Sequence, residues 1–353
     1  MPVYILSTEA ISPQETFLTD SFLENPVRPE GEYFTCIHPD YKQFIQPGSL
    51  RRMSHVIRMG LASSKVCLKN AGIEKPGAIL VGSGLGCVHD TVKFLNQIIE
   101  NDEQLLNPTA FIQSTHNTVS GQIALVLGCR EYNLTFSQKT LSFETALLDA
   151  ILLLNENRVG TALVGGIDEI TDESFRLMVQ GGCKKALTGK DIYNSSAPGA
   201  VAGEGASFFI LSNRAKQGAI ARIDDLEIIN RRLEEEELKG SLLTFLERNG
   251  LAPGDVDLFV TGQNGDPRYR ETYRQAGRLF SGSMIAGFKH LVGEYDTASA
   301  FGVYLAANII SRNEVPRAAQ MNDITRKQIS RALLFNFGKD QDYSFTLISD
   351  PKS

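Results

Sequence analysis

Apolar positions along the chain fall into two alternating rhythms, short unbroken runs and runs at helical spacing. Val3 to Ser7 reads as a short strand, followed from Ser12 to Gly48 by a loop containing Pro, Asp and Glu. "RRMSHVIRMGLASSKVCLKNAG" is an amphipathic helix stopped by Gly72. "GAILVGSGLG" is a buried strand entering a glycine-rich turn, "TALVGGIDEI" is another, and "GAVAGEGASFFILSN" is a glycine-punctuated loop feeding a third. The run "RRLEEEEL" reads as a solvated helix face that continues through "LLTFLERNG". "DVDLFVTGQNGDP" is strand and turn, "HLVGEYDTASAFGVYLAANII" turn and helix, and "RALLFNFGKDQDYSFTLIS" a closing hairpin. Alternation on this scale predicts an α/β fold, a mostly buried mixed sheet system between helical layers.

One junction stands apart. In "LTFSQKTLS" the alternating Leu134 and Phe136 break at Ser137 and Gln138, and Phe143, Ala146, Leu147, Ala150, Leu153 and Leu154 then recur at helical spacing. Strand, sharp turn and helix in this order lift one side chain out of a sheet and aim a helix N-terminus at it, the usual setting of a nucleophile. The residue at the apex reads as Gln138, which cannot attack anything.

Composition narrows the field. The 353 residues are 42% hydrophobic with 31 Gly, enough for one large α/β domain or two fused ones. A net charge of −6 gives a nucleic-acid or anionic-membrane partner no global support, and an acidic carrier would need a local basic patch. The five cysteines (Cys36, Cys67, Cys87, Cys129, Cys183) form no CxxC pair and the five histidines no ligand-spaced cluster. This predicts a reduced, metal-free protein without a cofactor. "MPVYILSTEA" lacks a basic leader and no run of about twenty apolar residues occurs, so a soluble, unprocessed cytoplasmic protein is expected. "GSGLG" lacks a phosphate-loop pattern and reads as structural.

The segments "FIQSTHNTVSGQIALVLG", "YNLTFSQKTLSFETAL", "LVGGIDE", "GAVAGEGASFFILSNRAKQGA", "KHLVGEYDTASA" and "LLFNFGKDQDYSFTLI" occur in the order and rough spacing of the β-ketoacyl-acyl-carrier-protein synthases, which the chain resembles over nearly its whole length. The resemblance implies a thiolase-like fold: two similar halves, residues 1–214 and 215–353, stacked as five αβαβα layers and usually dimeric. The two halves share no visible sequence repeat.

In a condensing member, a Cys at the elbow takes the acyl chain as a thioester and two His help decarboxylate malonyl-carrier protein and stabilise the enolate. The Cys-bearing motif, "STACAT"-like, falls on "TFSQKT", placing Gln138 at the nucleophile position. A carboxamide cannot hold a thioester but donates two hydrogen bonds. The first His, in an "AHGTSTP"-like turn, is matched by "TGQNGDP" and becomes Gly262. The second, in a "KSMTGHLLGAAG"-like turn, is matched by "IAGFKHLVGEYD", so His290 survives, the family's Lys becomes Ile285, and neighbouring Lys289 is expected to point elsewhere. The "FGFGG"-like loop supplies an oxyanion N–H and a Phe gate; here Phe337 and Gly338 remain while Asn336 and Lys339 replace glycines. Glu204 reads as a buried scaffold carboxylate, Asp168 and Glu169 as acceptors for turn amides, and Cys129 and Cys183 as small residues off the elbow.

Two variants of the family carry Gln at the Cys position. Loading-type ketosynthases keep both His and decarboxylate malonyl-carrier protein; chain-length factors lose the His and Lys, pair with an active ketosynthase and close the acyl tunnel. Gln138, Gly262 and Ile285 together resemble a chain-length factor, with His116, Thr118 and Phe136 as candidates for the tunnel's closed end and the region from Phe111 to Leu148 as the heterodimer contact. The compact length suggests the subunits found beside aryl polyene and related gene sets. The alternatives are a malonyl-carrier-protein decarboxylase using Gln138 and His290, and a homodimeric non-catalytic acyl-binding protein. An acyl carrier protein is the further expected partner.

Overall fold

The computed structural model describes residues 2–106, 108–187, 192–339 and 341–353. Ten strands carry the fold: β1 (Val3–Ile11), β2 (Ala78–Gly82), β3 (Tyr132–Phe136), β4 (Thr161–Asp168), β5 (Gly205–Ser212), β6 (Ala221–Asn230), β7 (Leu258–Thr261), β8 (Met284–Gly287), β9 (Arg331–Gly338) and β10 (Asp342–Ser349). They hydrogen-bond in the order β8-β7-β9-β10-β6-β1-β5-β4-β2-β3. The first strand is therefore longer than its apolar core suggests, and it lies in the middle of the order.

The order is a duplication that the sequence hides. Outward from the centre, β1-β5-β4-β2-β3 repeats as β6-β10-β9-β7-β8. Each series begins with two antiparallel pairings and ends with two parallel ones. Among the described strands the two series hydrogen-bond to each other where Val3, Tyr4 and Ile5 of β1 pair with Ile223, Arg222 and Ala221 of β6. Parallel neighbours require crossover helices, and these supply the remaining layers.

Helices α1 (His55–Ala71), α2 (Val88–Glu100), α3 (Thr118–Leu127), α4 (Ser142–Asn155), α5 (Asp172–Gln180), α6 (Glu235–Arg248), α7 (Arg270–Leu279) and α8 (Ser299–Arg312) pack around the strands. Three buried clusters mark the layering. One joins α1 and α3 to the first series, and another joins α6 and α7 to the second. The largest holds α4 and α8 between the two series. Helix α8 is apolar nearly all round, with Phe301, Leu305, Ile309 and most of its neighbours buried, as a helix with sheet on both sides must be. This is the five-layer arrangement expected from the resemblance. The charged run ahead of α6 is solvated, with Glu234 and Glu237 forming a capping box.

The ends of the sheet differ. β8 is covered on its outer side by residues 319–322, through Met321 N–H to Ile285 O (2.8 Å), Gly287 N–H to Ala319 O (2.8 Å) and Ile285 N–H to the Asn322 side chain (3.0 Å). β3, at the other end, pairs with β2 alone among the described strands.

One buried carboxyl in β1 makes stability depend on pH. Glu9 is 6% exposed and accepts only long bonds, from the Ala10 (3.3 Å) and Leu18 (3.4 Å) amides. Desolvation pushes its pKa up to about 7. A folded-state pKa above the unfolded one gives a contribution that is fully present below the unfolded value, about 4.5, and is lost as pH rises through about 7. Glu9→Gln should therefore match the wild type near pH 4 and become the more stable chain near pH 8, by up to about 3 kcal/mol. Denaturant unfolding at the two pH values checks this; a difference that does not change with pH would mean that the carboxylate ionises at no cost.

Candidate functional site

The carboxyl ends of the inner strands converge on a pocket of about 480 Å³. The turn after β2 contributes Leu85, the elbow Lys139 and Thr140, the end of β4 Asp168 and Glu169, and the loop after β7 Asn264 and Asp266. Glu294, Tyr295 and Asp296 come from the turn before α8, and Gly338 and Lys339 from the β9–β10 hairpin. Lys184, Cys183 and Arg268 complete the rim, so the lining mixes both signs of charge with apolar surface.

The elbow has the expected form: β3 ends at Phe136, a 3₁₀ turn spans Lys139–Leu141 and α4 follows at once. Its detail differs from the sequence reading. Gln138 has φ −111° and is exposed, with its backbone N–H on Ser142 Oγ (2.9 Å) and its side-chain Oε1 accepting from the Thr145 hydroxyl on α4. The left-handed residue at the turn is Lys139, φ 54°, whose ammonium bonds Gly84 O (3.0 Å). Lys139, rather than Gln138, lines the pocket. Lys339 is also left-handed (φ 50°), so lysines occupy two positions that glycine or asparagine would fill with less strain.

The second correction concerns the turn after β8. His290 faces away from the elbow, into a separate cleft beside Tyr193, Ile192 and Pro26. Its Nε2 lies 2.7 Å from the Ala318 carbonyl, which can only accept, so Nε2 carries the proton and Nδ1 takes the Tyr193 hydroxyl at 2.6 Å. Burial holds the ring below its ordinary pKa. Both ring nitrogens are hydrogen-bonded within this cleft. Lys289, expected to point elsewhere, turns inward: its ammonium meets Glu294 (2.8 and 3.1 Å) and Asn336 Oδ1 (2.8 Å), and it is 3% exposed. Ile285 lies on β8 against the outer core, away from the pocket. In a four-residue helical turn, Lys289–Val292, a shift of one position swings a side chain by about 100°. No apolar pattern distinguishes Lys289 from His290 there.

The Gly262 position is filled from its neighbours. A Cβ built on Gly262 would sit 2.5 Å from Asn336 Oδ1 and 3.2 Å from the Tyr273 hydroxyl. Tyr273 donates to Phe337 O (2.7 Å) and accepts the Phe337 N–H (3.0 Å), the group that would serve as an oxyanion donor. Phe337 is buried, stacked on Tyr343 at 4.5 Å and edge-on to Tyr269. From Asn336 the network runs to Glu144 on α4 (3.4 Å) and, through Lys289 and Glu294, to Asn264 (2.8 Å). Burial raises the Glu144 pKa. Within this network the Lys289 ammonium and the Phe337 N–H are each bonded to a protein partner.

The carboxylates behave as read from sequence. Asp168 accepts the Gly84 (2.8 Å), Leu85 (3.1 Å) and Thr297 (2.9 Å) amides. Glu169 accepts the Val56 (3.0 Å) and His89 (2.9 Å) amides, capping α1 and α2 together. Glu204 accepts Cys36 (2.9 Å) and Ile170 (3.2 Å). Of the tunnel candidates, Phe136 is half-buried against the central cluster, His116 lies against Gly86, and Thr118 bonds Thr115 (3.0 Å). Three histidines that the sequence scatters stand in a row, His38 to His55 at 5.1 Å and His55 to His89 at 6.3 Å between ring centres. Among the described residues no His, Cys, Asp or Glu group could hold a metal ion, and no helix is long and apolar enough to cross a membrane.

Duplicated five-strand series around two middle helices, with a pocket at the strands' carboxyl ends, define a thiolase-like ketosynthase fold. Residues 36–189 match the model of the β-ketoacyl synthase N-terminal domain. No curated protein matches the chain. Among solved structures it is similar to the ishigamide ketosynthase/chain length factor, with a TM-score of 0.79, 16% identity and 99% of this chain covering 98% of that one. A β-ketoacyl synthase from Burkholderia phymatum STM815 gives 0.79, 16%, 98% and 98%. The ketosynthase ApeO in complex with its chain length factor ApeC from Xenorhabdus doucetiae gives 0.73, 12%, 98% and 97%. Identities this low establish the fold.

The filled space around Gly262 is open to a direct check. Gly262→Ala should destabilise the chain by about 1–3 kcal/mol, because the Asn336 and Tyr273 groups beside it are fixed by their own bonds. Gly240→Ala, on an open face of α6, should stabilise it by about 0.5–1 kcal/mol. Equal effects in thermal or denaturant unfolding would show that Asn336 moves aside freely and that the space is not sealed.

Proposed function

We propose that this chain is a non-condensing, chain-length-factor-like subunit that pairs with an active β-ketoacyl-carrier-protein synthase and shapes its acyl tunnel. The observation that carries the reading is the occupied site: Tyr273 holds the Phe337 N–H, Asn336 fills the space at Gly262, and the inward cation Lys289 is tied to Glu294. Decarboxylation by Gln138 with His290 draws no support, since Gln138 is exposed on the elbow and both ring nitrogens of His290 are bonded elsewhere.

The assembly part rests on the bare end of the sheet. Among the described strands β3 pairs on one side only, and Leu134 on it, Leu125 and Leu152 on the helices packed against it, and Phe111 and Ile112 in the same half of the chain are exposed. An apolar, unpaired edge strand is a site for strand addition or association. The two lobes, 1–214 and 215–353, would then meet the partner through the first. His116, Thr118 and Phe136 lie in or beside this region, suiting them to the tunnel's closed end, and the compact chain fits the aryl polyene and related systems. A carrier protein is the source of acyl groups for the pair.

Acyl- or malonyl-carrier protein should leave no covalent acyl group on the isolated chain, as read by intact mass. A stable increment on pocket-lining Cys183 would reveal a relocated nucleophile and remove the non-condensing reading.

Co-expression with a ketosynthase bearing the Cys and both His should give a one-to-one complex by size exclusion, and Leu134→Arg should dissolve it. In the intact complex, His116→Ala or Phe136→Ala should lengthen the product while Gln138→Ala leaves turnover near wild type. A homodimer that excludes the ketosynthase would favour the acyl-binding alternative. Unchanged product lengths in both shortened variants, at matched stability, would remove the tunnel role.

A further inference from the structure

Lys184 stands on a two-residue strand, Lys184–Lys185, that pairs in parallel with Ala200–Val201. Successive side chains of a strand leave on opposite faces, so the two lysines go different ways. Lys185 turns to the Ala197 (3.2 Å) and Gly265 (2.9 Å) carbonyls, while Lys184 lines the pocket at the carboxyl ends of the inner strands. The backbone beneath it is closely held: a Cβ on Gly199 would sit 2.8 Å from the Lys184 carbonyl carbon.

The cations of this pocket differ in what answers their charge. Arg268 meets Asp266, Lys339 faces Asp296 (3.8 Å), and Lys139 is exposed to water. Lys184 is partly buried, and among the described residues no carboxylate lies within ion-pair distance of it. Its Nζ donates to the Glu294 backbone carbonyl at 2.6 Å. The carboxylate of that same residue is already spent on Lys289 (2.8 and 3.1 Å) and on Asn264 (2.8 Å). Burial, against the pull of Glu294 and Asp296, holds the Lys184 amine below the ordinary lysine range, and the neighbouring Lys289 charge works in the same direction. A neutral amine donates one N–H to Glu294 O and keeps a lone pair. Desolvation beside a second cation is a common way for a lysine to become a nucleophile near neutral pH.

We propose that Lys184 is an amine nucleophile that takes a small ketone or aldehyde as a Schiff base in this pocket. The volume, about 480 Å³, is that of a small-molecule site, and the Lys139 and Lys339 ammonium groups on the same lining are there to polarise a carbonyl oxygen. The lone pair of the amine attacks the carbonyl carbon and forms the C–N bond. A proton passes from nitrogen to oxygen to give the carbinolamine. Nitrogen then forms its second bond to carbon as the C–O bond breaks, and the oxygen leaves as water. Nothing is oxidised or reduced, and hydrolysis reverses every step. The inference goes beyond the proposed function above: it needs a carbonyl compound and neither a carrier protein nor a partner subunit.

The test uses the full chain alone, incubated near neutral pH with hexan-2-one and cyanoborohydride, which reduces an imine to a stable secondary amine. Peptide mass then maps the adduct. Lys184 should be labelled at least about 10-fold faster than Lys239, an exposed lysine on α6, because each unit of pKa depression raises the neutral fraction about 10-fold. Its labelling rate should also reach its plateau at a lower pH than that of Lys239. Acetylacetone, without reductant, should give the absorbance of a conjugated enamine. Lys184→Met should abolish both signals, and so should Lys184→Arg, which keeps a donor for Glu294 O but has no neutral amine. Lys185→Ala, on the opposite face of the same strand, should leave labelling at the wild-type rate. The comparison of Lys184 with Lys239 is made within one wild-type sample, so it stands even if a variant fails to fold. Labelling of Lys184 no faster than Lys239, or an enamine signal that persists in Lys184→Arg, overturns the proposal. Ketosynthase pairing and product length are read in separate assays, so either proposal can fail without the other.

Discussion

The geometry of the site hangs on one carboxylate. Asp168, at the end of β4, takes hydrogen bonds from Ser83 Oγ and the amides of Gly84 and Leu85 on one oxygen, and from the Thr297 amide and hydroxyl on the other. The first set fixes the turn after β2; the second fixes the approach to α8, which belongs to the other half of the chain. Burial, and then the nearby Asp296, push its pKa up to about 6, and the donors from both lobes hold the charged form against that cost. Such an arrangement works only if the chains come very close. A Cβ on Gly166 would lie 2.6 Å from Ala300, and one on Gly84 would run into Asp296. Asp296 in turn faces Lys339 on the hairpin at 3.8 Å, so the rim follows from the same anchor.

Inside that frame the pocket wall depends on what fills the space beside Gly262, where a void or an unsatisfied polar group would be costly. Here the Asn336 carboxamide and the Tyr273 hydroxyl stand at Gly262, and each has its own partners. Lys289 supplies the charge that keeps Glu294 and Asn336 bonded at once, with 2.8 Å to each. The network is coherent because its residues depend on one another. An Asn at 336 without a glycine at 262 would clash, and Lys289 without Glu294 would be a buried, unpaired cation.

Much of this was legible in the sequence, and the failures have physical causes. The alternation of strands and helices, the elbow before α4 and the carboxylates on turn amides all rest on local patterning, and each is present. Three things were not visible. Whether Gln138 or Lys139 tops the elbow depends on a left-handed φ that neither residue type signals. Whether His290 or Lys289 points inward depends on the phase of a single helical turn, which motif matching fixes only to within a residue. The row formed by His38, His55 and His89 depends on Glu169 capping α1 and α2 with one side chain, which brings two helix N-termini together. The duplication escaped for a broader reason: hydrogen-bond order survives when every side chain that once revealed it has changed.

The two ends of the sheet then bear on what the elbow positions. A twofold-duplicated sheet should have equivalent ends, yet residues 319–322 satisfy β8 while among the described residues no strand pairs with the outer side of β3, where Leu134 is exposed. An edge left open on a well-packed molecule is a hazard unless something covers it. β3 is also the strand that leads into the elbow, and α4, which follows, packs against α8 in the central layer. The position and tilt of the edge are therefore set by the same turn that carries Gln138, and losing that turn would misplace the edge. On the reading proposed here, the surviving elbow is the signature of an assembly constraint rather than of chemistry.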